Sequence, residues 1–204
     1  MTPARFDDLR QHADILRLRN GKRVRLRFVE PADAEALQGY FRSLTGSSRY
    51  NRFLGAMSEL SKTELEHFTH AGIDDRFSVI ATVSIGGSET IVGEARYAFD
   101  ADSDSLEFGL SIDDRWQSQG IGSAILSNLQ CRAAAFGAKR LFGDTLRSNA
   151  AMIGLARTSD FAIRHNPDDW KLVRLEKTVD AAPQAIPCVS WRLAAQQIAQ
   201  HGAA

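Results

Sequence analysis

Cysteine is nearly absent from these 204 residues, which contain only Cys131 and Cys188. Two cysteines cannot build a disulfide framework, and their spacing matches no metal-ligand pattern, so no metal centre is expected. A charge of one sign is lacking too, because 25 Lys+Arg face 25 Asp+Glu and the pI is near 7.0. Such a chain has no broad positive field with which to hold nucleic acid. No uninterrupted apolar run reaches the roughly 18 residues of a membrane span. The first ten residues, MTPARFDDLR, have no apolar signal core and carry acids early, so a cytoplasmic location is expected. What is present, 44% hydrophobic and 25% charged residues, is ordinary globular composition at the length of one domain.

Residues 1–20 are polar and weakly periodic and are expected to form an extension, although Arg10 to Arg27 hold seven basic residues and one acid. Arg23, Arg25 and Arg27 alternate with Val24, Leu26 and Phe28, the period of a half-buried strand. Pro31 opens a helix whose apolar face is Ala34, Leu37, Phe41 and Leu44. Arg49-Tyr50-Asn51-Arg52-Phe53-Leu54 follows as a loop, and Ser61–Glu64 reads as a capping box that starts a second helix. Phe77–Val83 and Ile91–Phe99 are strands joined at Gly86-Gly87, where two positive-φ residues suit a hairpin. Leu106–Ile112 is a third strand, and a helix runs from about Gly120 to Phe136 and stops at Gly137. Lys139–Leu146, Ser148–Arg157, Phe161–Arg164 and Lys171–Val179 then read as strand, helix and a closing strand pair. Residues 181–204 read as a linker and one weak helix. The predicted order is β-α-α-β-β-β-α-β-α-β-β, a mixed α/β fold with a mostly antiparallel sheet.

The chemistry concentrates in Glu107–Ser123, where a strand ends and Gln117-Ser118-Gln119-Gly120-Ile121-Gly122 launches a helix. A helix start leaves backbone N–H groups unpartnered at the positive end of the macrodipole. Gly120 and Gly122 would let a ligand approach that backbone closely, and an anion such as pyrophosphate is the expected guest. A P-loop would need a Lys after its last glycine, and Ile121-Gly122-Ser123 has none. A Rossmann fingerprint would need a third glycine where Ile125 stands.

The Gln-x-x-Gly-x-Gly stretch resembles the acyl-CoA pyrophosphate loop of the GNAT superfamily of N-acetyltransferases, and the element order from Val24 to Val179 is similar to that fold. Asn149, followed by Met152 and Leu155, matches the family's second motif. Ser48-Arg49-Tyr50-Asn51-Arg52-Phe53, Ala95-Arg96-Tyr97, Leu106-Glu107-Phe108 and Leu155-Ala156-Arg157 look like the catalytic domain of Pat-type bacterial protein lysine acetyltransferases. Two positions depart from the pattern. Asp160 precedes Phe161 where the family has Gly, and Ala156 stands where many GNAT enzymes carry a Tyr general acid.

The resemblance implies a GNAT domain over 21–180, acetyl-CoA as co-substrate and a primary amine as acceptor. That amine is a protein lysine or, alternatively, a small molecule such as an aminoglycoside, polyamine or amino acid. A non-catalytic acyl-CoA sensor is the reading from another class, and a homodimer is a common habit of the fold. Gln117, Ser118, Gln119, Gly120, Ile121, Gly122 and Ser123 would hold the phosphates, while pantetheine would pair along Leu110, Ser111 and Ile112 and reach Asn149. Glu107 takes the place of the family's general base. By its own pattern it shares a strand face with Gly109 and Ser111, and flanking Leu106 and Phe108 would desolvate it. An exposed strand Glu fits that pattern equally. Glu94 is the competing acid, with Arg96 on its face as the expected ion-pair partner.

Overall fold

The computed structural model describes residues 13–18, 20–70, 76–179 and 188–189. Eight strands form one sheet: β1 (Ala13–Arg17), β2 (Arg23–Phe28), β3 (Arg76–Ile85), β4 (Ser88–Asp100), β5 (Ser105–Ile112), β6 (Arg140–Leu146), β7 (Ala162–His165) and β8 (Leu172–Thr178). Their spatial order is β1-β2-β3-β4-β5-β6-β8-β7, and every neighbour pair is antiparallel except β5–β6. Five α-helices are bounded among the described residues: α1 (Ala34–Ser43), α2 (Gly46–Phe53), α3 (Lys62–Thr69), α4 (Ile121–Phe136) and α5 (Ala150–Thr158).

Strand alternation divides the interior in two. Phe77, Val79, Ala81 and Val83 of β3 pack with Ile121, Ile125, Leu126 and Leu129 of α4. Ile80, pointing the other way, packs with Leu37, Phe41 and Phe68 from α1 and α3. Burial on both faces is why β3 reads as a continuous apolar run. The expected punctuation is found where backbone chemistry demands it. Gly86 and Gly87 take φ of +58° and +86° in the hairpin, and Ser61 and Glu64 form a reciprocal capping box. Gly137, at φ +79°, ends α4 as Ala138 N–H reaches back to the Ala133 carbonyl.

Three expectations are corrected. First, part of the segment read as an extension is a strand, with Ala13–Arg17 paired to β2 from Ala13↔Arg27 to Arg17↔Arg23. Its inward position is held by Asp14, only 5% exposed, so the alternation lacks its apolar signal. Asp14 instead accepts from Asn128 (2.8 Å), Arg132 (3.0 Å) and the Val189 N–H (2.8 Å). Second, the Arg49–Leu54 loop lies within and at the end of α2. Thr45 caps that helix through the Ser48 N–H, and the Asp114 carboxylate accepts from the Thr45 N–H and from the Thr45 and Ser48 hydroxyls. A carboxylate supplied from the far side of the sequence is invisible to local pattern.

Third, the two cysteines are bonded to each other, with Cα atoms 6.1 Å apart across 57 positions of sequence. Asp14 seats Val189 against α4, which carries the neighbouring Cys188 to Cys131. Such a bond persists in an oxidising environment and opens in a reducing one. Apart from Cys188 and Val189, the predicted 181–204 linker and helix lie outside the described residues.

Closing a loop of this length stabilises a domain by about 2–4 kcal/mol. Chemical denaturation should therefore show wild type losing about that much on addition of dithiothreitol. The Cys188→Ser protein should start at the lower value and ignore the reductant. An unmoved wild-type midpoint would remove the bond from the stability of this fold.

Candidate active site

The β5–β6 pairing is short: only Ser105, Leu106 and Glu107 face Arg140, Leu141 and Phe142. β4 continues beside β5 to Ile112, and β8 continues beside β6 to Leu146. Past Glu107 the two parallel strands therefore diverge, and the β6-facing edge of β5 from Phe108 to Ile112 has no strand partner. The fork is set by backbone contact. A Cβ on Gly143 would stand 2.5 Å from the Phe108 carbonyl oxygen, so only glycine fits there.

At the open end, Asp113 locks the turn. Its N–H bonds to the Val92 carbonyl at 3.0 Å, and its carboxylate accepts from the Arg115 N–H (2.9 Å) and guanidinium (2.6 Å). The Arg115 hydrogen bond holds the Asp113 carboxyl below the usual carboxylate range. Ser118 and Gly120 then take φ of +58° and +88°, and Ile121 drops into the core to start α4. No acceptor among the described residues takes the N–H groups of Gln117 through Ser123. Seven donors thus gather at the positive end of a helix, the arrangement that receives phosphate oxygens.

The glycines divide their work differently from expectation. Gly120 supplies the positive φ, whereas Gly122 packs against α5, where a Cβ would meet the Leu155 side chain at 2.9 Å. Asn149 caps α5, its oxygen accepting from Met152 N–H (3.1 Å) and its amide donating to Thr145 (3.0 Å). Half-buried between β6 and α5, it stands at the mouth of the fork. Leu110 and Ile112 are half-buried on the open edge, and the Ser111 side chain is buried on the face shared with Glu107.

Glu107 lies at the last β5–β6 pair, opposite Ala98 on β4 and beside Phe142 on β6. Leu106 and Phe108 turn to the other face, so the carboxyl is exposed and the expected desolvation by those neighbours is absent. Glu94 is the acid that is buried, at 0% exposure. Its partner is Arg52, not Arg96: Arg52 binds both carboxylate oxygens through Nε and Nη2, and Ser111 donates at 2.9 Å. The Tyr40 hydroxyl lies 3.0 Å from Ser111, and burial, with Glu94 nearby, pushes it well above an ordinary phenol pKa. Pattern reasoning missed Arg52 because its partner is on another element. Gly109 was a usable signal, since a Cβ there would sit 2.9 Å from Arg52 Nη1. Arg49 serves structure, donating to the carbonyls of Met57, Arg42 and Leu44, while Glu59 pairs with Arg42. Among the described residues no three His, Cys, Asp or Glu side chains gather as a metal site, and no helix is long and apolar enough to cross a membrane.

Residues 23–162 match the family model described as Acetyltransferase (GNAT) domain. An acetyltransferase of Pseudomonas aeruginosa is 26% identical over 152 residues, 74% of this chain and 82% of that protein. The GNAT domain of S. lividans PAT has a TM-score of 0.73 and 26% identity, covering 81% of this chain and 96% of that one. A cAMP-binding acyltransferase from Mycobacterium smegmatis shares the fold, with a TM-score of 0.58 at 20% identity over 95% of this chain and 58% of that one.

Removing Arg52 would strand a fully buried carboxylate, a loss of about 3–5 kcal/mol. Denaturant melts should place Arg52→Ala that far below wild type, with Arg52→Lys between the two. An Arg52→Ala protein as stable as wild type would mean that the Glu94 ion pair does not hold this end of the sheet together.

Proposed function

This chain belongs to the acetyltransferase (GNAT) family, whose co-substrate is acetyl-CoA, and we propose that it acetylates protein lysine side chains with Glu107 as general base. One observation carries the reading: an open β5 edge joins the seven unpartnered N–H groups of Gln117–Ser123 to an exposed carboxylate at the fork.

Each residue takes a role from its position. The N–H groups of Gln117–Ser123 hold the pyrophosphate, with Gly120 setting the turn. The Leu110–Ile112 edge receives the pantetheine arm as an added strand, and Asn149 offers its second amide hydrogen to the same arm. A free N–H of that edge polarises the thioester carbonyl as a single oxyanion donor. The acceptor arrives as an ammonium ion with a pKa of about 10.4 and must lose a proton before it attacks. Glu107 accepts that proton directly or through water, a contribution on the order of 10²–10⁴-fold. Its exposure suits an acceptor presented on another protein's surface, and the Pat-type motifs support the same class. Ala156 is fully buried where a Tyr acid could stand, so solvent returns the proton to the thiolate.

Calorimetry and a lysine-peptide assay test the two halves separately. Glu107→Gln should keep acetyl-CoA affinity and lose at least 10²-fold in turnover. Gly120→Glu, which places a side chain and a negative charge at φ +88°, should lose measurable binding. Wild-type-like turnover in Glu107→Gln would overturn the base, and intact binding in Gly120→Glu would overturn the loop. Acetyl-CoA binding without turnover of any amine would favour a sensor.

A further inference from the structure

The sheet face that carries Glu107 is charge-balanced on one side and not on the other. Toward β6 and β8, Arg174 pairs with Asp144 at 2.9 Å, and Arg140 and Arg164 share Glu176 at 3.2 Å. Toward β4 and β3, Arg96 and Arg76 have no such partners among the described residues. Arg96 stands directly across from Gly109, making it the diagonal cross-strand neighbour of Glu107, at about 7–8 Å between backbones. Its guanidinium rests 4.5 Å from the Phe68 ring centroid, half-buried, with no ion pair or hydrogen bond among the described residues. Glu94, the nearest acid on its strand, is already taken by Arg52 and Ser111.

Two further guanidinium groups adjoin it. Arg52 uses Nε and Nη2 on Glu94, while its Nη1, lying over Gly109, donates to nothing among the described residues. Arg76, opposite Ala98 on β3, is exposed and has no ion pair among the described residues. The acids that act on Arg96 are Glu94 and, from α3, Glu64; Arg52 and Arg76 oppose them, and burial with this repulsion holds Arg96 below the usual arginine range. A partly desolvated cation is costly without an anion, and a guanidinium fork matches a carboxylate two N–H groups at a time.

We propose that Arg96, assisted by Nη1 of Arg52, is a carboxylate subsite that selects acceptor lysines with an acidic side chain two residues away. The inference rests on Glu107 marking where the acceptor amine arrives. The diagonal spacing is close to the two-residue repeat of an extended chain, about 6.6 Å. A peptide crossing the fork with its lysine at Glu107 therefore brings an Asp or Glu two residues away to Arg96. Gly109, having no side chain of its own, leaves the place between them to the Arg52 guanidinium.

Two labelled peptides, Ac-Glu-Gly-Lys-Gly-Glu-amide and its Gln-for-Glu counterpart, decide the matter by anisotropy on the CoA-bound enzyme. This readout needs no turnover. Wild type should bind the acidic peptide about ten-fold more tightly, the effect of one charge-assisted contact. Arg96→Gln should bind both alike, Arg96→Lys should keep part of the preference, and both variants should retain acetyl-CoA affinity. Equal binding by wild type, failure of both peptides to bind, or a preference that survives Arg96→Gln would overturn the subsite. If Arg96→Gln does not fold, the wild-type pair and Arg96→Lys still give the answer. Selective binding without acetylation of either peptide would support the subsite and overturn lysine acetylation instead.

Discussion

Three residue pairs hold β5 to β6, and most of what this protein can do follows from that brief parallel contact. Parallel strands require a crossover, which here is α4, and the crossover places a helix start beside the end of the strand it follows. The same contact opens a gap as soon as it stops, because Gly143 sits against the Phe108 carbonyl and no pairing continues beyond it. A strand edge, a ring of unpartnered N–H groups and Glu107 are therefore parts of one geometric event. The antiparallel strands on either side brace the fork, and α4 with its apolar face fixes the angle at which its N-terminus meets the open edge.

Two buried charge networks hold the periphery to this frame. Asp14, Asn128 and Arg132 join β1 to α4 and bring in the Val189 backbone, so that the disulfide to Cys188 closes over the same spot. Glu94, Arg52, Ser111 and Tyr40 join α1 and α2 to the two strands that build the site. In each case a carboxylate that would be expensive alone is surrounded by donors from elements distant in sequence. The second network also consumes Glu94, which leaves Arg96 without a carboxylate among the described residues.

Much of the frame was legible from residue order. The β2 alternation, the Gly86-Gly87 hairpin, the Ser61 box and the α4 limits at Gly120 and Gly137 all rest on local backbone chemistry, and all are present. What escaped notice was wherever a polar residue took an apolar residue's place because its partner lay elsewhere. Asp14 hid a strand, Asp114 braced the Thr45 cap of a helix that read as a loop, and Cys131 met Cys188 beside a backbone bond to Asp14.

The site shows the same division. Gln117–Gly122 and Glu107 could be read as candidates from spacing and family resemblance, because a glycine turn into a helix and a strand acid are written in consecutive residues. Which acid is buried, which arginine pairs with it, and whether Gly122 serves a ligand or Leu155 were decided only when separate elements packed together. By itself the sequence determined the periodic elements, their capping residues and the glycine turn that launches α4, all products of interactions within a few residues. Tertiary structure alone decided the fork, the ion-pair partners and the exposure of Glu107, because each depends on what another strand or helix brings within contact distance.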